Sequence, residues 1–293
     1  MRETIICIGR TAEKPYCFPE TGISVSSYEE ICYYFSNYMI CYLYTLPEEE
    51  FLYFIREELG LDKLYRQLVK LTDADRDQMK YFSALFREGS YFSEDEIRRI
   101  LDEYRNLKNL PYSLQSKRLG DVYLRAGRAS MAIHCYGEAL KQGELEGKEA
   151  GAVCHNRGIA LARLFRFHDA KIQFVKAYQH GGEEESLFCY YCMIALTEGL
   201  EKARRELEGF QVSELSQEAF ESRFAEANEA FDYSEEAVRE EKLRFLMENG
   251  KEEEGGLLYK KTVRDFQKAF RRELDVDENL LTVNVPVPRS DAP

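Results

Sequence analysis

Along most of this chain apolar residues recur at spacings of three and four, the period of an amphipathic helix. From residue 27 onward the pattern is nearly unbroken. Ser27 with Glu29 and Glu30 marks a helix start, because carboxylates favour the positive end of the helix dipole. The helix that follows is dense in aromatics: Tyr28, Tyr33, Tyr34, Phe35, Tyr38, Tyr42 and Tyr44. That density predicts a core element touched on several sides, the competing reading being an exposed tyrosine surface. Pro47 opens the next helix at its first turn, with Phe51, Leu52, Phe54, Ile55 and Leu59 on its apolar face. Leu61, Leu64, Tyr65, Leu68 and Leu71 continue the pattern, then Met79, Phe82, Leu85 and Phe86. Ser93 and Glu96 have the spacing of a capping box. Ile97, Ile100, Leu101, Tyr104 and Leu107 follow it to Pro111.

Before residue 27 the reading is different. A β-branched run at 4–8 ends at Gly9, Pro15, Pro19 and Gly22 punctuate the chain, and 23–25 alternates. Two short strands, paired as a hairpin or along an edge, are expected.

Two stretches between residues 113 and 180 repeat one pattern. Gly120 matches Gly158, Ala132 matches Ala170, Tyr136 matches Phe174, and Ala139 matches Ala177. Two antiparallel helices approach closely only where their side chains are small, and an aromatic fills the gap beside such a crossing. The order small, Ala, aromatic, Ala at matched offsets in two copies resembles a pair of tetratricopeptide repeats. The copies lie 38 residues apart, against ~34 in that family, and the polar stretch 141–147 accommodates the surplus. The family's early Trp and terminal Pro are absent from both copies. After Gly181 and Gly182, residues 183–210 read as a partial third repeat. Helices at 216–231, 234–249 and 257–274 complete the chain, with Val263, Phe266 and Phe270 expected inward.

The expected architecture is therefore all-α: a right-handed superhelix of antiparallel helix hairpins with a small N-terminal β-element. It divides into a strand and loop element at 1–26, N-terminal hairpins at 27–112, repeats at 113–210 and C-terminal helices at 211–274. A disordered tail is expected at 275–293.

Charge sharpens the functional reading. The chain of 293 residues carries −13, yet residues 109–180 carry eleven Lys/Arg against six Asp/Glu, a balance of +5 that leaves −18 elsewhere. A nucleic-acid binder calls for an overall basic domain, so an acidic peptide is the expected ligand. The apolar run near Met1 is too short for a secretory core, and no run reaches the ~18 residues of a membrane span. Eight cysteines in apolar or helical runs then read as buried thiols of a cytoplasmic protein. Cys189 and Cys192 lack the second ligand pair of a zinc site and the preceding strand of a redox site. His134, His155, His168 and His180 occupy different parts of the hairpins. No nucleophile with a base, phosphate loop or cofactor motif stands out, so neither catalytic nor metal-binding residues are assigned.

The resemblance implies that the first helix of each hairpin lines a concave groove. Register with Gly120 places Lys117, Asp121 and Arg125 there, and in the second copy His155, Asn156, Ile159 and Arg163. Some members of the family hold terminal carboxylates with Lys and Asn at such positions. Lys117 and Asn156 match that clamp, while Asp121 stands where it needs an Asn. The expected function is a non-catalytic scaffold or adaptor holding a peptide or partner protein with acidic groups. A helical sensor or regulator is the alternative, and an enzyme a remote one. No nucleic-acid or membrane partner is expected, and oligomeric state is left open.

Overall fold

The computed structural model describes residues 9–74, 77–210 and 212–274. The β-branched run at 4–8, Cys7 and the tail from 275 lie outside the described residues. Among the described residues the chain is all-α apart from one two-stranded antiparallel sheet. It divides into two compact units, with the boundary between Ala126 and Gly127.

In the first unit, β1 (Tyr16–Cys17) pairs with β2 (Ser24–Val25), Tyr16 opposite Val25. Helix α1 (Tyr28–Tyr38) follows, passing into a 3₁₀ turn at Met39–Tyr42. Ser27 caps α1 through its side-chain oxygen, which accepts from Glu30 N at 3.2 Å. Next come α2 (Glu49–Tyr53), whose last turns widen into a π-helical segment at Phe54–Glu58, α3 (Asp62–Ala74) and α4 (Gln78–Arg87). Pro47 precedes the first turn of α2 instead of forming it. Helices α5 (Glu94–Asn109) and α6 (Tyr112–Arg125) complete the unit. The capping box of α5 is formed: Ser93 accepts from Glu96 N, and Glu96 accepts from Ser93 N.

Tyrosine and phenylalanine make this core. Phe18 stacks on Tyr34 with ring centroids 3.6 Å apart, and Phe35 meets Phe51 and Phe82. Tyr34, Phe35, Tyr42, Tyr81 and Tyr104 are wholly buried, whereas Tyr33 and Tyr44 are exposed, so the aromatic helix is chiefly core. Three of the buried hydroxyls form a chain. Thr21 donates to the Tyr34 hydroxyl at 3.2 Å, the Tyr34 and Tyr42 hydroxyls lie 3.4 Å apart, and Tyr42 donates to Glu20 at 2.6 Å. Such chains specify one packing because each unmade bond would be costly.

The second unit holds α7 (Ala129–Lys141), α8 (Gly147–Arg163), α9 (Phe167–Gly181), α10 (Glu184–Glu198), α11 (Leu200–Glu208), α12 (Glu214–Asp232), α13 (Glu235–Glu248) and α14 (Glu252–Leu274). All eight matched positions of the two repeat copies are buried. The boundary places α6 and α7 in different units, so hairpin geometry is read from the second copy. There α8 and α9 are antiparallel: Gly158 lies under the Phe174 ring, and Gly151 meets Ala177 and Gly181. A Cβ on Gly158 would stand 2.6 Å from that ring, which is why the position is glycine. In the third hairpin, Ala203 and Leu207 of α11 bury against Leu187, Tyr191 and Ile194 of α10.

The turns before α7 and α9 correspond. Each needs a left-handed residue; Gly127 supplies it in one (φ 70°), and Phe165, 38 positions on, supplies it in the other (φ 58°). A side chain there is strained by roughly 1–2 kcal/mol.

Helices pack in chain order from α7 to α11; α10 then meets α12, α12 meets α13 and α13 meets α14, which returns to α7. Burial thins along this path: α12, α13 and α14 bury only Phe220, Leu246 and Gly255. Phe266 and Phe270, expected inward, are 57% and 36% exposed. The periodic stripe is present, but α13 and α7 cover only part of it. Among the described residues, no helix is long and apolar enough to cross a membrane.

Candidate peptide-binding surface

The seven residues singled out in the sequence fall on two helices, three on α6 and four on α8. On α6, Lys117 Nζ donates to Asp121 Oδ2 at 2.8 Å, with both side chains about three-quarters buried. Arg125 Nε donates to the Asp121 carbonyl at 3.3 Å. Asp121, Arg125 and Arg118 face a cleft of about 250 Å³ within the first unit, whose other wall includes Asn37, Met39 and Glu103. The Asp at the position where a carboxylate clamp needs Asn is thus the chain's own counter-ion for Lys117. A ligand carboxylate at this place would compete with a carboxylate already bound.

On α8, Asn156, Ile159 and Arg163 follow one another at helical spacing and share a face with the exposed Ala152. Asn156 and Ile159 are half-buried, and Ile159 packs on the cluster of Leu161, Ala170 and Phe174. His155 lies to one side. Its Nδ1 is 3.0 Å from the buried Ser186 hydroxyl, and its ring meets Phe174 edge-on at 5.6 Å. Burial pushes its pKa below the usual 6.5, against the opposing pull of Glu185 and Glu183. A neutral imidazole that ties α8 to α10 is the result.

Arg163 is exposed at the end of α8, and its guanidinium lies 3.8 Å from Glu273 Oε1. The same Glu273 carboxylate accepts from Ala129 N, in the first turn of α7, at 3.1 Å. Phe270, one turn earlier on α14, meets Phe165 with ring centroids 5.8 Å apart. Of this cluster, the sequence pattern marks Arg163 by helical register and Phe270 by the apolar stripe of the last helix. One further signal was legible: Glu273 ends a helix, where a negative charge opposes the dipole.

The remaining candidates are chemically quiet. Burial raises the thiol pKa of Cys189 to about 12 and of Cys192 to about 11, which suppresses the thiolate that redox and metal chemistry require. Among the described residues, no group of three or more His, Cys, Asp or Glu is placed to hold a metal ion. A cavity of about 410 Å³ in the first unit is lined by Arg10, Glu29, Leu59, Glu88 and Tyr91 among others. Its polar lining combines Glu29, Glu88 and Arg10 with the hydroxyl residues Tyr28, Ser90 and Tyr91. No protein-family model, curated protein or solved structure matches this chain.

Proposed function

We propose that this protein is a non-catalytic interaction module of the tetratricopeptide type, a right-handed superhelix whose hairpins hold an acidic peptide or partner segment. The observation that carries the reading is the α8–α9 hairpin. Gly158 and Gly151 bring the two helices close on one side of α8. Ala152, Asn156, Ile159 and Arg163 share a stripe of α8, and we assign the ligand to that stripe. Arg163 supplies charge-assisted hydrogen bonds to a carboxylate, Asn156 an amide that both donates and accepts, and Ile159 apolar contact. In the first unit, Lys117 is already engaged by Asp121.

The test is fluorescence anisotropy of the full chain with a labelled acidic peptide, (Glu-Ala)₆, beside a (Lys-Ala)₆ control. The acidic peptide is expected to bind in a salt-sensitive manner. Arg163→Ala is expected to weaken it about tenfold, and Lys117→Ala or Arg125→Ala no more than about threefold, since charge-assisted bonds outweigh screened surface charges. Equal affinity for both peptides, or indifference to Arg163→Ala, would reject the reading. A regulatory role is the second reading, and the return of α14 to α7 and Arg163 supports it.

A further inference from the structure

We propose that the last turn of α14 is an intramolecular ligand: it shuts in cis a site, at the start of α7 and the end of α8, that in trans accepts a helical segment carrying an aromatic residue and a carboxylate three positions later. The inference rests on the peptide-binding reading above and deepens it by naming the ligand pattern and its internal competitor.

Three contacts of different kinds converge on one helical turn. Glu273 accepts a hydrogen bond from the backbone of Ala129, where the α7 dipole favours an anion. The same carboxylate faces the Arg163 guanidinium, the cation expected to hold a ligand carboxylate. Phe270 meets Phe165, an aromatic that is 69% exposed and stands in a left-handed conformation that its counterpart Gly127 adopts without strain. A strained, exposed aromatic whose ring partners include one on a distant helix is better explained by that contact than by the turn itself. Gly127 adds room: even a Cβ there would stand 3.5 Å from Glu273 Oε1.

The arrangement also has the energetics of a reversible occupant. Phe270 is partly exposed, its neighbour Phe266 more so, and α14 buries only Gly255. The body of α14 stays packed on α13, with Arg239 3.7 Å from Asp265, so release of its last turn from α7 and α8 uncovers little apolar surface. Glu273 opposes its own helix dipole and gains from the contact with α7 and Arg163. Any segment presenting the same Phe-x-x-Glu pattern competes for the same donors.

The experiment uses the full chain, wild type and the double variant Phe270→Ala/Glu273→Gln, with a labelled peptide of residues 257–274 as probe. A latch closed nine-tenths of the time lowers apparent affinity about tenfold. The double variant is therefore expected to bind the peptide about tenfold more tightly than wild type, and Arg163→Ala in that background to remove the gain. A peptide carrying Glu273→Gln is expected to bind more weakly. Equal binding by wild type and double variant, or a gain that survives Arg163→Ala, overturns the proposal. Backbone hydrogen exchange in wild type gives an independent check: excess unlabelled peptide is expected to accelerate exchange across 257–274, and unchanged exchange overturns the latch. Binding of the 257–274 peptide without binding of (Glu-Ala)₆ rejects the acidic-peptide function and keeps the latch. The converse, with (Glu-Ala)₆ held equally by both chains, keeps the function and rejects the latch.

Discussion

Replacing Gly158 by alanine tests the hairpin directly. The new methyl carbon would stand 2.6, 2.8 and 2.9 Å from three atoms of the Phe174 ring, which has no exposed surface. Ordinary carbon contacts begin near ~3.5 Å, so ring and helix must separate by about 1 Å. Overpacking of this kind costs ~1–3 kcal/mol, whereas alanine in a helix interior gains up to ~1 kcal/mol over glycine. The clash outweighs the gain in helix propensity, and Gly158→Ala is expected to destabilise by about 1–2 kcal/mol. Gly137, in the middle of α7, is the control. A Cβ there would meet only the Arg157 guanidinium, at 3.7 Å, so Gly137→Ala is expected to stabilise by ~0.5–1 kcal/mol. Urea denaturation followed by circular dichroism should give midpoints that move in opposite directions at unchanged slope. Phe174→Leu, costly alone, should be less than additive with Gly158→Ala because it frees the same space. If Gly158→Ala raises the midpoint as Gly137→Ala does, the close crossing is wrong.

Further outcomes follow from single side chains. The Tyr81 hydroxyl is buried without a hydrogen-bond partner among the described residues, so Tyr81→Phe should leave stability unchanged or raise it by ~1 kcal/mol, whereas Tyr42→Phe, which removes the bond to Glu20, should lower it by ~1–2 kcal/mol; denaturation midpoints decide. His155 has a pKa below 6.5 when folded, through burial, so the unfolded chain binds more protons: its contribution is complete above about pH 6.5 and is lost as pH falls through the folded value. Wild type should therefore lose stability on acidification below that point more steeply than His155→Gln, and parallel profiles would refute the burial argument. Among the cysteines of the described residues, exposed Cys17 should react with iodoacetamide well before Cys189 and Cys192, whose pKa values are raised to about 12 and about 11; mass spectrometry of tryptic peptides gives the order.

Local rules were readable in the sequence because their partners sit close together. Ser93 and Glu96 announce their capping box, Ser27 its helix start, and the glycine–aromatic pair 158 and 174 its crossing. The strand Tyr16–Cys17 was not readable, since a two-residue pairing between Pro15 and Pro19 has no periodicity. The π-helical turn at Phe54–Glu58 keeps the same apolar face and leaves no sequence mark. At the candidate site, helical register placed Asn156 and Arg163 on one face, but the Glu273 partner of Arg163 was beyond its reach. Lys117 and Asp121, four residues apart, were within that reach, whereas Glu273 reaches Ala129 from 144 residues away. The misreading of Phe266 and Phe270 has a general cause: amphipathic spacing says which side of a helix is apolar, not whether anything covers it.

The buried tyrosine chain gives this molecule an optical signature. With 20 tyrosines and no tryptophan, its intrinsic fluorescence is tyrosine emission alone, undiluted by energy transfer to an indole. Tyr42 donates to the Glu20 carboxylate, a contact that quenches phenol emission by accepting its proton in the excited state. Loosening of the first unit should therefore brighten the protein, with Tyr42→Phe removing part of the increase. Alkali should report the same event: burial holds the Tyr34 and Tyr42 phenols far above their ordinary range, so their phenolate absorbance should appear in a cooperative step when the core opens.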